Sequence, residues 1–150
     1  MLQLLLFCWI SEVTQLNRTD VNFTNRECKV LGKGNKERKV YLDEVACLFL
    51  QEYLNERTDA NEALFVSIHA PYERMHPGGI RNMLKNLGIN AEIDHVHPHK
   101  FRRTKATSLI KHGMPIHEVA AILGHDKLDT TMKYIAIDDN VIKNDYQKYG

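Results

Sequence analysis

The chain has 150 residues, 43% hydrophobic and 26% charged, which suits one compact domain and excludes a disordered chain or a second full domain. The formal net charge is only +1, so the overall balance does not mark a binder of polyanions. The distribution does: Arg26, Lys29, Lys33, Lys36, Arg38 and Lys39 face only Glu27 and Glu37 within residues 26–39, Lys100, Arg102, Arg103, Lys105 and Lys111 face no acid within residues 99–112, and the other segments sum to −8. Two basic patches on an acidic body attract polyanions whatever the net charge.

The apolar start, residues 1–10, is about half the length that spans a bilayer. It lacks the basic leader and small-residue cleavage site of a signal peptide, so residues 2–7 read as the tail of a buried helix, one that began before Met1. Ser11 caps a short helix over 12–16. Residues 20–23 read as a strand, 24–26 as a turn, and 28–31 and 39–42 as two further strands joined by a hairpin tip over 32–36, where two glycines supply the turn. Asp43 caps an amphipathic helix that runs to about Glu56 and turns Val45, Leu48, Phe49 and Tyr53 toward a core. Residues 64–67 are a short extended piece. From residue 77 the chain is helical. Pro77 opens a helix ending at Gly88, Pro98 opens one ending just before Gly113, and Pro115 opens one ending at Gly124. Residues 128–134 form a short helix and residues 138–149 a helical tail. The fold class is α+β, mainly α, with a small antiparallel three-stranded sheet near the N-terminus and a helical body. Cys8, Cys28 and Cys47 are odd in number and have no metal-ligand spacing, which indicates free thiols in a reducing, cytoplasmic compartment.

Three local patterns carry chemistry. His99 and Arg102 stand three apart in the first turn of a helix, hence on one face, at a helix start that favours an anion. Leu123-Gly124-His125 ends a helix at a glycine that permits a sharp turn, and Tyr134 follows nine residues after His125. The hairpin tip carries Lys33, Lys36 and Arg38. Alone, each pattern also has an ordinary structural reading: a surface-charged helix, a core tyrosine, solvated hairpin lysines. The alternating His95, His97 and His99 suggest metal only weakly, because Pro98 interrupts them and no carboxylate or cysteine sits at ligand spacing.

The order and spacing of these patterns resemble the catalytic domain of the tyrosine recombinases, the phage integrase family. Ile10-Ser11-Glu12-Val13 resembles the start-of-domain motif, Lys33 the hairpin lysine, His99 and Arg102 the second box, Leu123-Gly124-His125 the third, and Tyr134 the nucleophile. The resemblance implies that residues 1–150 are a C-terminal catalytic domain, truncated at its N-terminus and without the separate DNA-clamp domain. It implies site-specific DNA recombination and integration by metal-free cleavage and rejoining through a 3′-phosphotyrosine link. Tyr134 would be the nucleophile, Arg102 and His125 would stabilise the transition state, Lys33 would protonate the leaving oxygen, and His99 would act as acid/base. Lys36, Arg38, Lys100, Arg103 and Lys105 would bind the DNA backbone. The implied partners are double-stranded DNA and further copies of the chain in a tetrameric synapse, coupled by the C-terminal tail, with no cofactor, metal or membrane.

The chain departs from the family pattern, Gly-x-Arg-Ile-Ser-Glu, at two positions: Phe7 stands where the glycine belongs and Trp9 where the first catalytic arginine belongs. Indole offers one neutral N–H and no charge. The alternative expectation is therefore a catalytically impaired DNA-binding remnant of an integrase.

Overall fold

A computed structural model of the chain describes residues 1–94, 96–125 and 147. Helix α1 (Leu2–Phe7) buries Leu4, Leu5 and Phe7 against α5 (Pro98–Lys111). Cys8 is extended and breaks the chain into α2 (Ile10–Gln15). The expected cap of α2, Ser11, lies inside the helix. Trp9 holds the cap position instead, and its backbone N–H donates to the Glu12 carboxylate at 2.7 Å.

Three strands follow, β1 (Val21–Asn22), β2 (Glu27–Leu31) and β3 (Glu37–Tyr41), in an antiparallel sheet of order β1-β2-β3. Alternation decides which face is buried: Cys28, Val30 and Val40 are solvent-free while Lys29 and Lys39 point outward. The two lysines are directly opposed, a destabilising pairing relieved by diagonal ion pairs, Lys29–Glu37 at 2.9 Å and Lys39–Glu27 at 2.8 Å. A 3-10 turn over Lys33–Asn35 closes the hairpin.

Asp43 caps α3 (Glu44–Glu56) by accepting from the Ala46 N–H at 2.8 Å, as its sequence position predicts. The buried face differs from the expected one. Val45, Leu48 and Phe49 are 61%, 54% and 63% exposed, and Cys47 and Leu50 face the core, with Tyr53 and Leu54 half-buried beside them. The helix carries two apolar stripes, and the one led by Cys47 joins the core. Residues 57–76 run as an excursion anchored by arginines. Arg57 donates to the Ala63 and Leu64 carbonyls at 2.7 and 3.0 Å and to Asp59 at 2.6 Å, while Arg74 donates to the Thr14 and Leu16 carbonyls, both at 3.0 Å. Within it Ala63, Leu64, Phe65 and Val66 are buried, extended and bridged singly to Asn17 and Arg74.

Helix α4 (Pro77–Asn90) starts at the expected proline and continues two residues past Gly88, which is buried against Val96. Helix α5 has Pro98 in its first turn, and α6 (Ile116–Leu123) ends at Gly124. Leu4, Leu5, Leu64, Ile80, Leu84, Val119 and Leu123 form the centre of the core, each at most 2% exposed. Truncating one such leucine or isoleucine to alanine costs about 2–5 kcal/mol. The architecture is the expected one, mainly helical with one small antiparallel sheet. Among the described residues no helix is long and apolar enough to cross a membrane. The helix expected over 128–134 and, Gln147 apart, the tail over 138–149 lie outside the described residues.

Candidate active site

Arg102 is the largest fully buried side chain of the described residues, at 1% exposure. Its place on α5 follows from spacing. Ala106, one turn on, packs into the core, and Arg102 on the same stripe must enter it too. A buried guanidinium needs acceptors. Its Nη1 donates to the Phe7 carbonyl at 2.5 Å, its Nη2 donates to the Leu123 carbonyl at 2.8 Å, and Nη2 lies 3.4 Å from His125 Nε2.

Gly124 makes the last contact possible. It ends α6 in the left-handed region, φ 68°, and the His125 N–H returns to the Ala120 carbonyl at 3.0 Å, which closes the helix end and turns His125 back toward Arg102. The glycine has a second reason to be glycine: a Cβ there would stand 2.9 Å from the Arg38 guanidinium. His125 is half-buried. Burial, followed by the positive charges of Arg102 and Arg38, holds its pKa below the ordinary 6.5. The neutral imidazole is thereby favoured over the charged form, and a neutral ring exchanges hydrogen bonds without adding charge.

Arg38 differs from its expected place on a DNA-facing surface. It reaches inward from β3 and forms a fork on Glu12, Nη1–Oε1 2.7 Å and Nη2–Oε2 2.9 Å, with side-chain exposures of 13% and 8%. Its Nη2 also donates to the Phe7 carbonyl at 3.1 Å and its Nε to the Ile122 carbonyl at 3.2 Å. Gly32 comes so close to this pair that a Cβ would lie 3.3 Å from Arg38 and 3.4 Å from Glu12. With Lys29 and Lys39 in cross-strand ion pairs and Arg38 turned inward, the net charge of the hairpin overstates what its surface presents.

Trp9 holds the position of the expected first arginine and joins the same cluster. Its ring lies over the Arg102 guanidinium, 4.4 Å from Cζ to the ring centroid. His99 meets it edge-on at 5.3 Å and His125 lies tilted at 6.4 Å. Thus the structure brings together His99, Arg102 and His125, three of the sequence-predicted catalytic residues, with Trp9 among them. Lys33 is exposed on the 3-10 turn of the hairpin, five residues along the chain from Arg38. Tyr134 lies outside the described residues. Lys36, Lys100 and Arg103 are exposed, and Lys105 is half-buried with its Nζ 5.6 Å from the Phe7 ring centroid.

A cleft of about 1050 Å³ opens beside Trp9, between α2, α4 and the segment entering α5. Its lining joins His99 and Arg102 to Arg81 and Lys85, two cations that the sequence reading did not single out. Their signal is the spacing of four on α4, which places both on one face.

Residues 2–140 match the model of the phage integrase family. The chain is similar to the tyrosine recombinase XerC of Treponema denticola, 33% identical over 157 residues covering 93% of this chain and 51% of that protein. It is 37% identical to XerC of Mannheimia succiniciproducens over 83% of this chain and 43% of that one. The chain thus spans about half the length of the curated relatives it matches. Among solved structures, XerA recombinase superposes with a TM-score of 0.82 at 30% identity, over 98% of this chain and 56% of that chain. XerH recombinase bound to its difH substrate shares the fold, with a TM-score of 0.78 at 22% identity over 97% of this chain and 43% of that chain.

Proposed function

The chain belongs to the phage integrase family, and from that premise we propose that it is the catalytic part of a site-specific tyrosine recombinase, cleaving and rejoining DNA strands without metal. The observation that carries this reading is the convergence of His99 and Arg102, one turn apart on α5, and His125, from the end of α6, around the Trp9 ring, with Arg102 and His125 in contact at 3.4 Å.

In the proposed step the Tyr134 hydroxyl oxygen attacks a DNA phosphorus. A tyrosyl O–P bond forms and the P–O5′ bond breaks, leaving a 3′-phosphotyrosine link and a free 5′-hydroxyl. His99 takes the tyrosine proton. Lys33, on the hairpin tip, gives a proton to the departing 5′-oxygen. Arg102 and neutral His125 donate to the non-bridging oxygens, on which negative charge builds in the transition state. The covalent link conserves the energy of the phosphodiester, so a 5′-hydroxyl from a second strand reseals it in the reverse reaction with no nucleotide cofactor.

The partner is double-stranded DNA. Lys36, Lys100, Arg103 and Lys105 supply phosphate contacts, and Arg81 and Lys85 extend them along the cleft. Strand exchange needs two sites cleaved together, so the working assembly is four copies on two duplexes. The XerC relatives are named as tyrosine recombinases, and the fold of XerH is seen on a DNA substrate, both of which support this reading. The alternative, an impaired remnant, rests on the departures at Phe7 and Trp9, and nothing in the relatives favours it over the active enzyme.

The test is strand transfer. A duplex with a 5′-hydroxyl at a nick is mixed with a labelled second duplex, with EDTA present and ATP absent. A labelled recombinant strand is expected. A product that needs a divalent cation or ATP would contradict it.

A further inference from the structure

Trp9 is the only tryptophan of the chain, and its ring covers a face of the Arg102 guanidinium that an anion would use. Main-chain oxygens of Phe7 and Leu123 hold Arg102 from one side. The indole lies across its guanidinium face at 4.4 Å, and the imidazoles of His99 and His125 flank the ring. The result is a cation with 1% exposure on the wall of an open cleft. Trp9 itself is only half-buried and lines the same cleft.

We infer that Trp9 is an aromatic shutter over the anion site: a phosphate reaches Arg102 only when the indole swings away from it into the neighbouring cleft. This rests on the reading of Arg102 as the phosphate-binding group. Two independent features favour movement over a fixed plug. First, the cleft next to the ring is larger than an indole, and Ile10, Ile89, Ile93, Val96 and Pro77 make part of its mixed lining apolar, so the displaced ring keeps apolar contacts. Second, the contacts being broken are one cation–π stack and two ring contacts to His99 and His125, and the incoming anionic phosphodiester replaces the stack with charge-assisted hydrogen bonds that are stronger. The backbone need not move, because the Trp9 N–H stays on the Glu12 carboxylate, which Arg38 fixes in turn. The indole rotates about its own side-chain bonds.

The sole tryptophan is its own reporter. Sodium sulfate, a tetrahedral dianion that does not absorb, is titrated against sodium chloride at matched ionic strength while Trp9 emission is followed. The shutter predicts a saturable change in emission with sulfate alone, absent in Arg102→Lys and in Arg102→Ala; two variants are used because the alanine form loses buried hydrogen bonds and can unfold. No sulfate-specific change in the wild type overturns the shutter, whatever the DNA experiments show. In a second arm, Trp9→Ala and wild type are compared in single-turnover cleavage of a nicked duplex, with affinity followed separately by anisotropy. The variant should cleave about 10–30-fold faster at equal affinity, the factor that one desolvated cation–π contact represents. Equal or slower cleavage by a folded variant that binds the duplex equally well overturns the shutter. A sulfate response without cleavage by either protein leaves the shutter standing and removes the recombinase reading.

Discussion

Arg38 and Arg102 donate to one acceptor, the carbonyl oxygen of Phe7, at 3.1 and 2.5 Å. The first comes from β3 and the second from α5, and each then reaches the end of α6, Arg38 at the Ile122 carbonyl and Arg102 at the Leu123 carbonyl. Carbonyls at a helix C-terminus lack intrahelical partners and carry partial negative charge, so two guanidinium groups close that end and pin it to the turn before α2. His125, at the end of α6, and Trp9, at the start of α2, are thereby held at a set separation.

Breaking this pin should cost stability in a coupled way. Arg38→Met leaves the mostly buried Glu12 carboxylate without its fork and should destabilise the domain by about 3–5 kcal/mol in urea titrations. Glu12→Gln together with Arg38→Met should cost less than the two single changes summed, with a coupling of about 0.5–3 kcal/mol. Additive effects would show that the pair does not act as a unit.

Stability should fall in mild acid through His125. Its pKa in the folded state lies below the ordinary 6.5, chiefly from burial and then from Arg102 and Arg38. The unfolded chain therefore takes up the proton first as pH falls, and the folded state loses ground from about pH 6.5 downward until the depressed value is passed. Above 6.5 the group is neutral in both states and contributes no slope. The Tm of His125→Gln should accordingly gain on that of the wild type between pH 7.5 and 5. A constant difference in Tm across that range would contradict this assignment.

Trp9→Arg should raise cleavage. The site holds one guanidinium where the family pattern has two, and a single donor to the transition-state oxygens is typically worth ~10²–10³ in rate. Single-turnover cleavage of a nicked duplex measures it, and Phe7→Gly with Trp9→Arg provides the companion variant that restores both positions of the motif. A rate for Trp9→Arg no higher than that of the wild type, in a protein that still folds, would show that residue 9 does not face the phosphate.

Local chemistry was the legible part of the fold. Asp43 announces the start of α3, Pro98 and Gly113 bracket α5, and Gly124 marks the turn that presents His125, because each acts within a few residues of itself. The buried face of α3 was not legible. Val45, Leu48 and Phe49 form a stripe as apolar as that of Cys47, Leu50 and Leu54, and only the packing partner decides between them. Arg38 misled for a related reason: a cation on a basic hairpin reads as surface charge until Glu12, 26 residues away, is seen to receive it. Spacing and resemblance single out His99, Arg102 and His125, which the structure brings together. What spacing could not show is that Trp9, read only as a missing arginine, stacks on Arg102.

The central claim is a covalent bond between Tyr134 and DNA, and trapping it is the most direct measurement. A duplex nicked so that the fragment beyond the cleaved phosphate diffuses away is incubated with protein in EDTA and run on a denaturing gel. The wild type should give a protein band shifted by one DNA strand, sensitive to nuclease and to protease, and Tyr134→Phe should bind the duplex with unchanged affinity and give no such band. A shifted band that persists in Tyr134→Phe would place the nucleophile elsewhere, with Tyr146 and Tyr149 the next to test, and its absence from wild-type protein bound to cognate DNA would contradict the account.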